Sequence, residues 1–436
     1  LRAADLIDHP MLDFMNRRTF FAAPLVVSGA ALGLNGATPP SDRINMAAIG
    51  TGPRGRFVLG HFLEQKDVAV RAVCDCFADR RASAKELVDK HYGNTDCRAH
   101  RLHEEILERS DIDAVLTAGG DRWHAVMSAL AARAGKDVYC EKPFSLTIGE
   151  GRALVEVTRK HKTVWQCGTQ RRSNPTWKLV IDAVRSGRIG KLRAITTSFG
   201  DGPWRRTGFP AAEPAPDPNV FDYDRWLGQA PWAPYSKVRV ALWRVNWDTG
   251  GGAIADMGAH YFEAAQWARG DLEGAPVEYE GVGLFRGDGG INNTPYFYSV
   301  RARYADGTLL IMDPAPKGVR FDGEEGSIHI SDAGEVTAQP ASVLAGLAAL
   351  AKLPAPTGHW NIMAPHIRNF LDAIRARQLT VSHPEAAQRA HTIIHCANLC
   401  LRLGRPLRWD AAAERFAGDE EANGMIARPM RAPWRI

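Results

Sequence analysis

Four groups of residues in this 436-residue chain have types and spacings that suit chemistry. Gly50-Thr51-Gly52-Pro53-Arg54-Gly55 is a G-x-G-x-x-G directly after the apolar run Ile44–Ile49. Its first glycine permits a tight turn, its second lets the backbone approach a pyrophosphate, and its third lets a helix pack close to a strand. The unpaired N–H groups of that helix suit phosphate. A second apolar run ends in Val73-Cys74-Asp75. Asp75 falls near the offset of roughly 20 residues at which an acid binds the ribose of a dinucleotide. Its carboxylate would accept the 2′-hydroxyl and repel a 2′-phosphate, so NAD is expected, and Arg80 and Arg81 keep NADP as the alternative. Glu141-Lys142-Pro143 closes a later apolar run. On an exposed turn it is a solvated charge pair; beside an alcohol its ammonium stabilises a developing alkoxide and relays a proton. Asp256 and His260 follow Gly250-Gly251-Gly252 and lie four residues apart. On one helix they would share a face and converge on one ligand. Imidazole titrates near neutrality and suits a base that takes a hydroxyl proton. The pair is also half of a metal site, but no third ligand of suitable spacing accompanies it, so no metal is expected.

The pattern from Arg43 to about Gly168 supplies elements to position these groups. Apolar runs at Ile44–Ile49, Val68–Cys74, Ala114–Thr117, Val138–Cys140 and Thr163–Cys167 alternate with helix-like stretches near 53–64, 79–90, 122–134 and 147–161. That alternation implies crossover units and a parallel Rossmann sheet covered on both faces. After Gly168 the texture changes. Leu192–Phe199, Val277–Phe285, Tyr298–Tyr304 and Thr308–Met312 are strand-like, and Asp306-Gly307 supplies a hairpin turn. A mostly antiparallel open sheet is expected there, in a second domain of α+β type. A Pro-rich stretch from Pro203 to Pro234 reads as a long loop, and such loops usually carry function. Helical periodicity returns at 366–377 and 384–403, in helices expected to pack back on the first domain. The expected organisation is a leader at 1–40, a dinucleotide domain at 41–168, a substrate and oligomerisation domain at 169–410, and a tail at 411–436.

With these motifs the chain resembles the glucose–fructose oxidoreductase, inositol dehydrogenase and rhizopine-catabolism (Gfo/Idh/MocA) family over residues 43–410. The resemblance implies that Lys142 reaches both the nicotinamide ribose and the substrate hydroxyl, and that Asp256 and His260 are catalytic. It also implies Arg54 and Glu141 beside the cofactor. Asp121-Arg122-Trp123-His124 sits where relatives show T-P-D-x-W-H, which would bring His124 near the cofactor; Gly119-Gly120 replaces Thr-Pro and suggests a wider wall. Gln170, in Gly168-Thr-Gln-Arg-Arg172, is implied near the nicotinamide. Arg171, Trp204, Trp243 and Arg244 are candidates to line a sugar site with Lys142 and His260, because aromatic faces and planar donors suit carbohydrate. The tail around Arg428–Trp434 looks like that of the exported branch and is expected to wrap a neighbouring subunit of a homo-oligomer.

Composition narrows the function classes. Apolar residues at 45% and charged residues at 24% are those of a globular protein. The net charge of +5 is scattered, without the basic stripe of a nucleic-acid binder. Seven cysteines, an odd number without a C-x-x-C, imply neither a disulfide framework nor a zinc site. Met15-Asn-Arg17-Arg18-Thr-Phe20-Phe21 and the apolar run Ala22–Leu34 read as a twin-arginine-type export signal, with residues 1–14 as an over-extended start. No other segment reads as membrane-spanning. Outside the cytoplasm free NAD is scarce, so a tightly bound, resident cofactor is expected. The first expectation is an NAD-dependent oxidoreductase acting on a secondary hydroxyl of a sugar, glycoside or polyol. The alternative is a redox-neutral glycosidase, lyase or epimerase that uses bound NAD transiently, as the family's α-N-acetylgalactosaminidase does. A catalytically silent NAD-binding protein would have no use for Lys142, Asp256 and His260 together.

Overall fold

The computed structural model describes residues 42–199, 205–313, 317–345 and 362–436. The expected export segment, Pro203 and Trp204 lie outside the described residues.

Short apolar runs that are buried on both faces build the first sheet. Its strands are β1 (Ile44–Ile49), β2 (Val68–Cys74), β3 (Arg98–His100), β4 (Ala114–Thr117), β5 (Asp137–Cys140) and β6 (Trp165–Cys167). They lie in the order β3-β2-β1-β4-β5-β6, all parallel. The crossovers are α1 (Pro53–Leu63), α2 (Ala78–Tyr92), α3 (His103–Leu107), α4 (Asp121–Arg133) and α5 (Ile148–His161). Register has a direct consequence for the site. Cys74, Ile49, Thr117, Cys140 and Cys167 pair in one row across the sheet. The residues that follow each of them, Asp75, Gly50, Ala118, Glu141 and Gly168, therefore emerge together at the carboxyl edge, where open parallel sheets bind ligands.

After α6 (Pro175–Arg185) the chain enters a nine-stranded sheet. Strand β7 (Leu192–Ser198) is followed by helices α7 (Tyr223–Leu227), α8 (Lys237–Ala241), α9 (Gly252–Asp256) and α10 (Gly258–Arg269). The remaining strands are β8 (Glu278–Leu284), β9 (Phe297–Arg303), β10 (Leu309–Met312), β11 (Gly318–Gly323), β12 (Ser327–Ser331), β13 (Val336–Gln339), β14 (Leu407–Asp410) and β15 (Arg415–Phe416). Only β7 and β10 run parallel; every other pairing is antiparallel. Trp177 of α6 and Tyr261 and Phe262 of α10 pack with Val300, Leu310, Phe321 and Ile328 in one core, while Val282 and Leu284 face outward on the other side. The chain thus combines a parallel Rossmann sheet with a large, mostly antiparallel α+β half. All seven cysteines are unpaired. No helix among the described residues is long and apolar enough to cross a membrane.

The expected strands form with ends shifted by at most two residues, and Gly307 takes a positive φ of 88° in the expected hairpin. Helix α11 (Met363–Ala376) does return to the Rossmann half: Met363, Ile367 and Phe370 share a core with Ile44, Leu59 and Val70. Helix α12 (Pro384–Leu403) is buried along most of its length. Two expectations change. The Pro-rich loop contains α7, capped by the Asp222 carboxylate on the Arg225 N–H. The expected boundary at 410 falls inside the β14–β15 hairpin, whose second strand extends the sheet. The tail also packs on its own chain: after α13 (Glu420–Asn423), Trp434 is buried edge-on against Trp123 of α4.

Candidate active site

The glycine loop is built as its residue types require. Gly50 has φ +87°, and a Cβ there would lie 2.5 Å from the Ala118 carbonyl carbon. A Cβ on Gly55 would lie 2.0 Å from the Gly50 oxygen, so α1 meets β1 at glycine contact distance. Asp75 closes the loop. Its Oδ2 accepts the Thr51 N–H at 2.7 Å and its Oδ1 accepts the Phe77 N–H at 3.0 Å. The carboxylate is thus fixed against the phosphate-binding turn, with lone pairs left over for a ribose diol. A cleft of about 690 Å³ opens over Gly50, Gly52, Gly55 and Asp75 and reaches Trp243 and Arg244. Ligand sites commonly span roughly 300–1,000 Å³, so the cleft suits a dinucleotide. At the domain junction the buried Gln170 Oε1 lacks a hydrogen-bond partner among the described residues, a vacancy that an amide N–H would fill. The residues present fit NAD.

Glu141 and Lys142 emerge on the same edge, two strands from β1. Glu141 is buried, and its Oε1 stands 2.8 Å from Arg54 Nη2. Burial opposes the charge on Arg54, but Glu141 outweighs it and holds the guanidinium above its usual pKa. The turn after Lys142 is pinned by three imidazoles. His124 Nδ1 lies 2.6 Å from the Pro143 carbonyl, His391 Nε2 accepts the Phe144 N–H at 3.2 Å, and His395 Nε2 meets Ser145 Oγ at 3.2 Å. Burial drives His124 down to about 4 and His391 to about 3, so both are neutral. His124 therefore bonds to the lysine turn, as a neutral donor.

Asp256 and His260 do not share one continuous helix. Helix α9 ends at Asp256, α10 begins at Gly258, and the His260 N–H bonds to the Met257 carbonyl. In a continuous helix that N–H would cap the Asp256 carbonyl. The break releases this oxygen, and Lys142 Nζ takes it at 2.7 Å together with Asp256 Oδ1 at 2.8 Å. Arg244 Nε approaches Oδ2 at 3.7 Å. Burial resists ionisation of Asp256, but Lys142 and Arg244 prevail and hold its carboxyl below the usual range. His260 stands on the first turn of α10, largely buried. Behind it Arg172 ties α10 down through Glu263 at 2.7 Å, both side chains 3% exposed.

Other expected residues fall variously. Trp243 and Arg244 line the cleft. Gly119-Gly120 does not widen the wall: a Cβ on Gly120 would lie 3.4 Å from the Trp243 indole, which fills the space. Arg171 is absent from the lining of the cleft. It is buried over the Tyr261 ring and paired with Asp332 of the second sheet. Sequence reasoning named Asp121 and Arg122, at the start of α4, only as part of the motif around His124 and gave them no role. Asp121 is buried, accepts the Gly251 N–H at 3.3 Å, and is raised to about 7 by burial and by Asp256. Two adjacent charges heading a helix after a Gly-Gly turn were the available signal.

Residues 44–169 match the profile of the Gfo/Idh/MocA oxidoreductase family's NAD-binding Rossmann fold, and residues 176–436 match its C-terminal alpha/beta domain. The chain is 25% identical over 276 residues to a myo-inositol 2-dehydrogenase of Thermotoga maritima, covering 63% of this chain and 70% of that one. It is 28% identical over 188 residues to a glycosyl hydrolase family 109 protein of Solibacter usitatus, covering 38% of this chain and 42% of the relative. In fold it resembles an aldose-aldose oxidoreductase of Caulobacter crescentus, with a TM-score of 0.60 at 18% identity over 84% of this chain and 99% of the other. The chain belongs to the Gfo/Idh/MocA oxidoreductase family, and NAD is its cofactor.

Proposed function

We propose that this oxidoreductase acts on a CH–OH group, the secondary hydroxyl of a sugar, glycoside or polyol, with NAD as a tightly held group. The observation that carries the reading is Lys142 Nζ, clamped by the carbonyl and the carboxylate of Asp256 at the edge where the glycine loop emerges. Bound NAD supplies a hydride acceptor whose reduced form can return the hydride, which opens both net oxidation and a redox-neutral cycle. Lys142 spends two of its three N–H donors on Asp256 and keeps one for a substrate oxygen. That donor stabilises the negative charge that builds on the oxygen as its proton departs. A ring nitrogen of His260 takes the proton, and Arg244 offers further donors to neighbouring hydroxyls.

The match to a glycosyl hydrolase family 109 protein favours a second reading, the redox-neutral one. A ketone formed on the sugar acidifies the adjacent C–H. His260 would take that proton, the bonding pair would expel the glycosidic oxygen, and water would add before the ketone is reduced again. The signal at residues 15–34 supports export to the periplasm or beyond, where a cofactor regenerated in each cycle needs no exchange. We include in the proposal a homo-oligomer that buries the open sheet face around Val282 and Leu284.

The test uses gel-filtered protein. Without added NAD, release of nitrophenol from p-nitrophenyl glycosides supports the redox-neutral cycle. With added NAD, steady NADH formation from free sugars or polyols supports net oxidation. Lys142→Met should lower kcat at least about 100-fold, the low end for a general acid–base group, while leaving NAD bound. Wild-type turnover in that variant removes Lys142 from the reaction.

A further inference from the structure

The second half of the chain reaches back over the turn that carries Asp75. Residues 219–222 run antiparallel to residues 76–78: the Ala78 N–H bonds to the Val220 carbonyl at 2.9 Å and the Asp222 N–H to the Cys76 carbonyl at 3.0 Å. Phe77 stacks flat on Phe221 at 3.7 Å, and the Arg80 guanidinium lies 3.8 Å above the Phe77 ring. Arg81 bonds to the Asn219 carbonyl at 3.2 Å. Phe221, Arg225 and Trp226 of this strap, with Tyr235 just beyond it, line the same cleft as Gly50, Asp75 and Arg80. The edge of a Rossmann sheet where the adenosine of a dinucleotide rests is therefore roofed.

Arg122 ties the roof to the cleft. It is 1% exposed and lines the cleft, with Nε on the Trp226 carbonyl at 2.7 Å and its guanidinium 4.1 Å from the Trp226 ring. Its two terminal nitrogens have no hydrogen-bond partner among the described residues, and no carboxylate is paired with it. A buried cation in that state is costly until an anion joins it. Burial lowers Arg122 to about 10, in keeping with that unmet demand.

The tail holds the strap from behind. Arg431 bonds to Asp224 Oδ1 at 2.6 Å, to the Asp224 carbonyl at 3.0 Å and to the Gly228 carbonyl at 3.0 Å, while its own N–H bonds to the Gln229 carbonyl at 3.0 Å. Trp434 packs against Trp123, whose indole N–H bonds to the Arg225 carbonyl at 3.0 Å.

We propose that residues 219–230 form a second, non-Rossmann binding wall for the adenosine half of the dinucleotide, that Arg122 offers it the cation for an anionic phosphate, and that Arg431 locks the wall shut. The lock rests on the reading of NAD as a resident group and supplies its structural cause. NAD leaves only when the strap lifts, and the strap lifts only when the tail lets go. Because Arg122 joins strap and phosphate, bound NAD in turn holds the strap down, as linkage requires.

The experiment follows the loss of radiolabelled NAD from loaded protein during a chase with excess unlabelled NAD. Wild type, Arg431→Ala and Asp224→Asn are compared, with melting curves of each as a check on folding. Asp224 is 63% exposed in its side chain, so its amide variant keeps the fold if the truncation at Arg431 does not. Release should quicken about tenfold or more in both variants, the change that follows from losing one charge-assisted anchor. Trypsin should also cut the strap of the variants faster than that of wild type, and NAD should slow the cut in all three. If wild type retains NAD and the folded variants retain it equally long, the lock is overturned while the resident cofactor stands. If wild type itself exchanges NAD within seconds, the resident cofactor and the lock fall together.

Discussion

Replacing His391 by glutamine should remove a defined part of the acid sensitivity of this fold. His391 Nε2 accepts the Phe144 N–H at 3.2 Å, and its Nδ1 lies 2.8 Å from the Ala387 carbonyl, so the folded state needs the neutral ring. Burial holds its pKa at about 3, against about 6.5 in an unfolded chain. Between those values the unfolded state binds a proton that the folded state refuses, so stability falls as pH falls through that window. Above about 6.5 the contribution is fully present, and at about pH 4.5 roughly two units of the difference, or about 3 kcal/mol, have been lost. Asp121 and Glu150, both raised to about 7 by burial, work in the opposite direction. They protonate first in the folded state, so acidification relieves them. They are common to both proteins, so the difference between wild type and His391→Gln isolates the imidazole. Glutamine keeps an acceptor near Nε2 and cannot be charged. Urea unfolding followed by tryptophan fluorescence at about pH 7 and about pH 4.5 should show wild type losing about 3 kcal/mol more than the variant. Parallel losses, within about 0.5 kcal/mol, would refute the claim that a neutral His391 supports the turn that bears Lys142.

Two further outcomes follow from the same geometry. Asp75→Ser removes the charge that repels a 2′-phosphate and leaves Arg80 beside the loop, so affinity should shift from NAD toward NADP by at least about tenfold, read by titration of both cofactors. Retained NAD preference would assign Asp75 to loop closure alone, through Thr51 and Phe77. Asp121→Asn takes away a buried carboxylate whose stability contribution is full below about pH 4 and lost as pH rises through about 7. The variant should be more stable to unfolding than wild type at about pH 8, by up to about 4 kcal/mol, and the two stabilities should converge in acid. A variant less stable at every pH would show that the Gly251 N–H contact outweighs the burial of charge.

The sequence made the parts legible where the reason is local. Gly50 must be glycine because its φ is positive and Ala118 crowds it, and a parallel β–α–β unit puts Asp75 beside it by register alone. The lysine turn follows a fully buried strand, so its motif and its place agree. The failures are non-local. Nothing in Asp256-Met-Gly-Ala-His260 announces that helical bonding stops at Met257, because the break is stabilised by Lys142, 114 residues away, taking the released carbonyl. Strands β11 and β12 were missed because each is short and carries outward Arg320 or His329 between its apolar residues, which only the neighbouring strands turn into a core face. The strap was read as a loop for the same reason: its partner is Cys76–Ala78, distant in sequence.

Arg54 connects these scales and argues that the cofactor loop and the Lys142 turn are set together. It stands in the first turn of α1, where a free guanidinium would be expected to address phosphate, yet its Nη2 is committed to Glu141 at 2.8 Å. Glu141 is the residue before Lys142, and a Cβ on Gly168 would lie only 2.8 Å from its Oε1, so only glycine at 168 leaves the carboxylate its place. A displacement of the glycine loop therefore passes through Arg54 into the lysine turn. The three buried imidazoles on that turn make it stiff rather than compliant, so the displacement reaches Lys142 and its contacts to Asp256. The coupling is geometric and needs no change of fold. It follows that a cofactor seated loosely on the glycine loop would misplace the ammonium, and that a fold which roofs the adenosine end protects the Lys142–Asp256 contacts as well as the cofactor.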